Sequence, residues 1–210
     1  MTAERFAARS DEDVRRLLLD HPLAWVVTAD AATPSASLLP IRPVFGAQGE
    51  VRELVGHFAR SNPQVEGLRR TGRALILFLG PHGYVSPSWM ADRTQAPTWN
   101  YVGAQYLTDL VFTEAPEAIE GLLRDLVGAM ESGRPAAWSL EDMGPRYKSL
   151  SRGVIGFRAN VLAANARFKL GQDERPDVFD DIVAGLDRVG GDDLARWMRD
   201  FAEPKDPALG

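Results

Sequence analysis

The chain has 210 residues, 45% of them hydrophobic and 25% charged, enough apolar material for one sizeable core and too much for a disordered segment. It holds no cysteine and three histidines, His21, His57 and His82, which excludes a disulfide scaffold, a thiol redox pair and a cysteine-based zinc site. Twenty-four basic against twenty-nine acidic side chains leave a net charge of −5, so a long phosphate-neutralising face is not expected and direct nucleic-acid binding is doubtful.

Ser10 and Asp13 open a helix whose apolar stripe is Val14, Leu17 and Leu18, and Pro22 closes it. LAWVVT (Leu23 to Thr28) reads as a strand, with turn residues from Asp30 to Pro34. Further strands are expected at Ser35 to Leu39 and Val51 to Phe58, joined by the turn Gly46 to Glu50. Ser61, Asn62 and Pro63 then start a helix, with Gln64 completing a capping box and Gly72 as its stop. ALILFL (Ala74 to Leu79) is a continuous apolar run, expected to be a strand buried on both faces. Gly80 to Thr98, broken by three prolines, reads as a long functional loop.

Strand character returns from Trp99 to Phe112. A helix follows from about Pro116, with Ile119, Leu122, Leu123, Leu126, Val127 and Met130 at helical spacing. Ser139 and Asp142 open a short helix, and Val154 to Val161 alternates as a half-buried strand. Helices at Asp177 to Leu186 and Asp192 to Phe201 follow. No apolar run nears the ~18 residues of a membrane span, and the charged opening MTAERFAARSDED is unlike a signal peptide, so a soluble, cytoplasmic protein is expected. Runs of strands with helices inserted imply an α+β fold on an antiparallel barrel, one domain over 1–210 with residues 187–210 as a helical extension.

No nucleophile elbow, zinc-protease motif or dinucleotide fingerprint is present. The chemistry concentrates in two segments. In GHFARSNPQ, His57, Arg60, Ser61 and Asn62 gather at a helix N-terminus, where free N–H groups and a partial positive charge suit an anion such as phosphate. Helix capping by Ser61 and Asn62 and a satisfied interior His57 is the equally weighted alternative. In GPHGYVSPSW and APTWNY, aromatic rings beside hydroxyl and amide groups suit a flat heteroaromatic ligand, against the alternative of core Trp and turn-forming Ser and Pro.

Those segments, with FKLGQ at Phe168 to Gln172, resemble the PaiB-type family of FMN-binding negative transcriptional regulators, over about residues 5 to 186. The resemblance implies an FMN-binding antiparallel split β-barrel with peripheral helices and a helical C-terminus. It also implies a homodimer holding FMN in two symmetric sites. His57, Arg60, Ser61 and Asn62 would then meet the phosphate, and Ser86, Ser88, Trp89, Thr98, Trp99 and Asn100 would surround the ribityl chain and ring. Lys169 and Gln172 fall in the family's lysine-containing C-terminal motif. The chain departs from the family at Leu38 and Gln105, where His is usual, at Met90 for Tyr, at Arg93 for Lys, and at Gly171, Gln172 and Asp173 for Ser-Gln-Asn. Leu38 removes a donor, and an inward Asp173 would repel a phosphate.

Three functions follow: a flavin-dependent regulator, an FMN oxidoreductase with the chemistry carried by the flavin, or a flavin-free interaction module. His82 and Tyr84 are the candidates for handling protons in the second, with turn capping the alternative for His82.

Overall fold

The computed structural model describes residues 5–29 and 33–202. Helix α1 (Asp11–Asp20) starts as expected, Asp13 N–H donating to Ser10 Oγ at 3.3 Å. Strands β1 (Leu23–Thr28), β2 (Ser35–Pro40), β3 (Arg42–Phe45) and β4 (Val51–Ala59) precede helix α2 (Gln64–Thr71). Strand β5 (Arg73–Val85) and β6 (Thr98–Thr113) flank a turn of 3-10 helix at Pro87–Trp89. Helix α3 (Pro116–Glu131), a 3-10 turn at Leu140–Met143 and helix α4 (Arg146–Ser151) lead into β7 (Val154–Lys169), followed by α5 (Pro176–Arg188) and α6 (Asp192–Ala202). The seven strands form one sheet in the order β2-β1-β5-β6-β7-β4-β3, an α+β architecture. The expected turn at Asp30 to Pro34 lies largely outside the described residues.

Two compact units divide the described chain. The larger draws on Leu18–Phe78 and Gln105–Asn165, the smaller on residues within Met1–Leu17, Leu79–Ala104 and Ala166–Gly210. In the larger unit β1 buries Ala24, Val26 and Thr28 on one face and turns Leu23 and Trp25 outward. Antiparallel pairing sets Trp25 opposite Leu38 on one side and Leu77 on the other. Trp25 and Leu38 stay 48% and 43% exposed, so both faces of this sheet are apolar and only one is covered.

That arrangement corrects the reading of ALILFL. Ala74, Ile76 and Phe78 are buried, whereas Leu75 and Leu77 are half-buried, so the strand is covered on one face rather than both. The loop expected from Gly80 is also shorter, because β5 continues to Val85 and leaves only 86–97 outside strands. Gly80, Pro81 and Gly83 read locally as breakers, but an extended backbone accommodates them once the ladder is under way. Four-residue β3 escaped detection because RPVF is too short to show a period.

Helix α2 ends on Gly72 in the left-handed region (φ 62), its N–H donating to Leu68 O at 2.8 Å. Its start differs from the expected capping box. Pro63 is the N-cap residue without a side-chain bond, and Asn62 Oδ1 accepts from Gln64 N–H at 2.9 Å. Gln64 turns inward instead, its Nε2 donating to Val26 O at 2.7 Å, Thr28 Oγ1 at 2.9 Å and Ser35 O at 3.3 Å. The sheet supplies acceptors for the Gln64 Nε2, while its Oε1 is buried without a hydrogen-bond partner.

The smaller unit is organised by Phe168, at the end of β7. Its ring stacks on Phe201 and tilts against Trp197 of α6, with Leu194 and Met198 buried beside them. Arg9 lies 4.0 Å from the Phe201 ring centroid, Arg16 4.1 Å from that of Trp197, and Phe6 O accepts from Phe168 N–H at 2.8 Å. Among the described residues, no helix is long and apolar enough to cross a membrane.

Candidate functional site

The twelve residues expected at a site fall into two groups, one in each unit. In the larger unit, β4 delivers His57 and the turn after it delivers Arg60, Ser61 and Asn62. Arg60 is already partnered: its Nη1 donates to Glu114 Oε2 at 2.7 Å, and its backbone N–H donates to Gly153 O at 2.8 Å. Glu114 also accepts from Arg69, whose guanidinium sits 5.3 Å from the Phe112 ring centroid. Hydrogen bonds from Arg69 and then Arg60 hold the Glu114 carboxyl below its ordinary range.

Asn62 is committed at both ends of its amide, Oδ1 to Gln64 N–H and Nδ2 to Ser37 Oγ at 2.9 Å. Ser61 is exposed. His57 pairs with Gly156 of β7 in the ladder, and its Nδ1 is buried without a hydrogen-bond partner. Burial pushes its imidazole below the ordinary 6.5, favouring the neutral ring. Sequence reasoning missed Glu114, which neighbours these residues only through the fold.

In the smaller unit the fold joins motifs far apart in the chain. Lys169 Nζ donates to Thr98 Oγ1 across a sequence separation of 71 residues. Trp99 is 55% exposed and meets the Tyr84 ring edge-on, centroids 6.0 Å apart. Ser86 Oγ and Ser88 Oγ share a hydrogen bond of 2.8 Å, and Ser86 Oγ also accepts from Ser88 N–H to cap the 3-10 turn.

Others of this group are engaged in the fold itself. Trp89 covers Gly185 of α5 so closely that a Cβ there would fall 2.4 Å from the ring. Asn100 is buried, with Nδ2 3.5 Å from Met198 Sδ. Gln172 spans its own turn, Oε1 accepting from Leu170 N–H at 2.7 Å and Nε2 donating to Phe168 O. His82 lies within β5, so there is no turn for it to cap; its Nδ1 is 2.9 Å from Gly80 O.

The loop between β5 and β6 is fixed by charge. Asp92 accepts from Thr94 Oγ1 at 2.6 Å, Gln95 Nε2 at 2.7 Å and Arg175 Nη2 at 3.1 Å, which hold its carboxyl far below the usual range. Ala91 N–H donates to Asp181 of α5 at 2.7 Å, and Arg93 Nη1 to Ser88 O at 3.2 Å. Of the other departures from the family, Leu38 lies on the open sheet face, Met90 is buried, Gln105 is exposed and Asp173 sits 3.9 Å from Arg5.

Residues 1–163 match the family described as "Putative FMN-binding domain". The chain belongs to that family. It is 27% identical, over 95% of both chains, to the protease synthase and sporulation protein PAI 2 of Bacillus subtilis. The flavocytochrome Anf3 of Azotobacter vinelandii is similar in structure, with a TM-score of 0.62 at 15% identity over 79% of this chain and 70% of that one. The FAD and heme binding protein of Mycobacterium smegmatis gives 0.56 at 19% identity over 85% and 79%. At these identities the likeness concerns the fold, an antiparallel split β-barrel with peripheral helices and a helical C-terminus.

Proposed function

We propose that this chain is a cytoplasmic, FMN-binding homodimer of the PaiB type that regulates gene expression through its flavin. The family match over residues 1–163 carries the reading. The B. subtilis relative, whose name ties it to protease synthesis and sporulation, supports the regulatory part over nearly the full length.

Geometry within each unit supports it further. The open face with Trp25 and Leu38 is the kind of apolar surface a second copy covers, and a self-complementary patch is the ordinary route to a symmetric dimer. Lys169 on Thr98, with the exposed Tyr84 and Trp99 rings, fits a flat, electron-accepting ring that needs a cation and aromatic walls. His57, Arg60, Ser61 and Asn62 are assigned to the phosphate, Ser86, Ser88, Trp89, Thr98, Trp99 and Asn100 to the ribityl chain and ring, and Lys169 and Gln172 to the ligand or the dimer partner. A phosphate reaching Arg60 exchanges with the Glu114 carboxylate, an anion for an anion. FMN supplies hydride or electron acceptance when bound.

The test is the visible spectrum of the purified protein before and after FMN titration, followed by gel filtration. A flavin band that co-elutes at the dimer position is expected. Failure to retain added FMN overturns the cofactor assignment and favours the flavin-free interaction module, whose support is that Arg60 and Asn62 already have protein partners. Specific retention of promoter DNA at physiological salt, and no NAD(P)H-dependent bleaching, separate regulator from oxidoreductase.

A further inference from the structure

Helices α3 and α4 and the 3-10 turn between them enclose a cleft of about 490 Å³, lined only by residues of the larger unit. None of the twelve flavin candidates lines it, and its size is that of a small-molecule pocket. The apolar side is Pro116 and Leu140, the latter buried; the polar side is Tyr147, Lys148, Ser151 and Arg152.

Charge in this cleft is unevenly paired. Both of its carboxylates are held by one guanidinium, Arg124 reaching Glu120 Oε1 at 3.0 Å and Glu141 Oε1 at 2.6 Å. Lys148 and Arg152, four residues apart, line the same cleft and make no ion pair with any described carboxylate. The walls are braced before any ligand arrives. Ser139 N–H and Oγ both donate to Asp142 Oδ2, at 2.8 and 2.9 Å, and fix the 3-10 turn, while Arg124 ties that turn to α3. Burial and the nearby Glu120 raise the Tyr147 phenol, which therefore remains a hydrogen-bond donor.

We propose that this cleft is a second, flavin-independent binding site for a small organic anion, a carboxylate on a flat apolar frame. Lys148 and Arg152 hold the carboxylate, and Pro116 and Leu140 pack against the frame. A purely inorganic anion would leave the apolar side unused, and a neutral ring would leave both cations unanswered.

The probe is 1-naphthoate, titrated into the full chain and followed by backbone amide NMR, with the neutral alcohol 1-naphthalenemethanol as the control. Saturable shifts are expected at amides of 140–152. In Lys148→Ala/Arg152→Ala, affinity falls at least about tenfold, the scale of a lost charge-assisted bond. Both side chains are exposed, so the thermal melt of that variant stays close to the parent's. Three results each overturn the site: no saturation in 140–152 at roughly 10 mM probe, equal affinity in the double variant, or equal affinity for the alcohol. Shifts centred on Trp25 and Leu38 instead place the probe on the open sheet face and count against the cleft.

Discussion

The turn after β4 and the pair of strand ends at Thr98 and Lys169 were singled out by the same kind of reasoning, yet the fold treats them differently. In the first, Arg60 answers Glu114, and Asn62 accepts from Gln64 N–H at the start of α2 while reaching back to Ser37. In the second, an ammonium meets a neutral hydroxyl, with exposed aromatic rings on neighbouring strands. The lesson concerns what a polar residue is for. A helix start needs anion-like partners whether or not a ligand comes, so the residues that would bind phosphate are also those the backbone recruits. A lysine whose hydrogen bond goes to a hydroxyl, with the Glu174 carboxyl within range of its charge, keeps capacity for a further anion or an electron-rich ring edge.

Substitutions sharpen this contrast. The largest effect is expected at Gln64, which looks like a helix residue and works as a sheet clamp. Gln64→Ala strands three acceptors and opens a void, and should cost about 3 kcal/mol in chemical denaturation. A loss under about 1 kcal/mol would mean water replaces the amide.

Ligand binding comes next. Lys169→Met should weaken FMN by about 2 kcal/mol and leave the melt nearly unchanged, while Arg60→Ala should cost about 1.5 to 3 kcal/mol if Arg60 meets the phosphate. Unchanged FMN affinity in folded Arg60→Ala returns that arginine to Glu114 alone. Asn62→Ala is expected to lower stability by about 1 kcal/mol as well, through the lost bond from Gln64 N–H. Calorimetric melting and FMN titration of the same sample separate the two roles.

The smallest effect is a pH dependence. Because burial lowers the His57 pKa in the folded state, the unfolded chain binds protons more readily just below 6.5. Its contribution to stability is therefore intact above 6.5 and declines as pH falls through the window beneath. His57→Gln should flatten the difference in Tm between about pH 7.5 and about pH 5. An identical slope in the variant assigns the dependence to other groups.

Much of the fold was legible. Gly72 as a left-handed stop, the Ser10 and Ser139 caps and the alternation of Ile155, Phe157 and Ala159 are short-range signals, decided within a few residues. What escaped depended on partners far along the chain. Gly80, Pro81 and Gly83 read as loop because nothing local reveals the ladder that extends them. Leu77 read as core because hydropathy cannot tell a covered sheet face from an open one. The candidate site followed the same rule. The motifs of Thr98 and Lys169 stood out in sequence, whereas Glu114, 54 residues from Arg60, carried no signal of its own.

The arginine and aromatic contacts that tie residues 6 to 16 to α6 also set an order of events. A ribosome delivers Arg9 and Arg16 long before Trp197 and Phe201, so those early residues wait through most of synthesis for their rings. Every residue of the larger unit lies at or before Asn165, so all of it has been synthesised before α6 is made. The packing of Phe168 on Trp197 and Phe201 is completed only once α6 has been made. Truncation before α6 therefore leaves Arg9, Arg16 and Phe168 without the rings they pack on, a target for quality-control proteases.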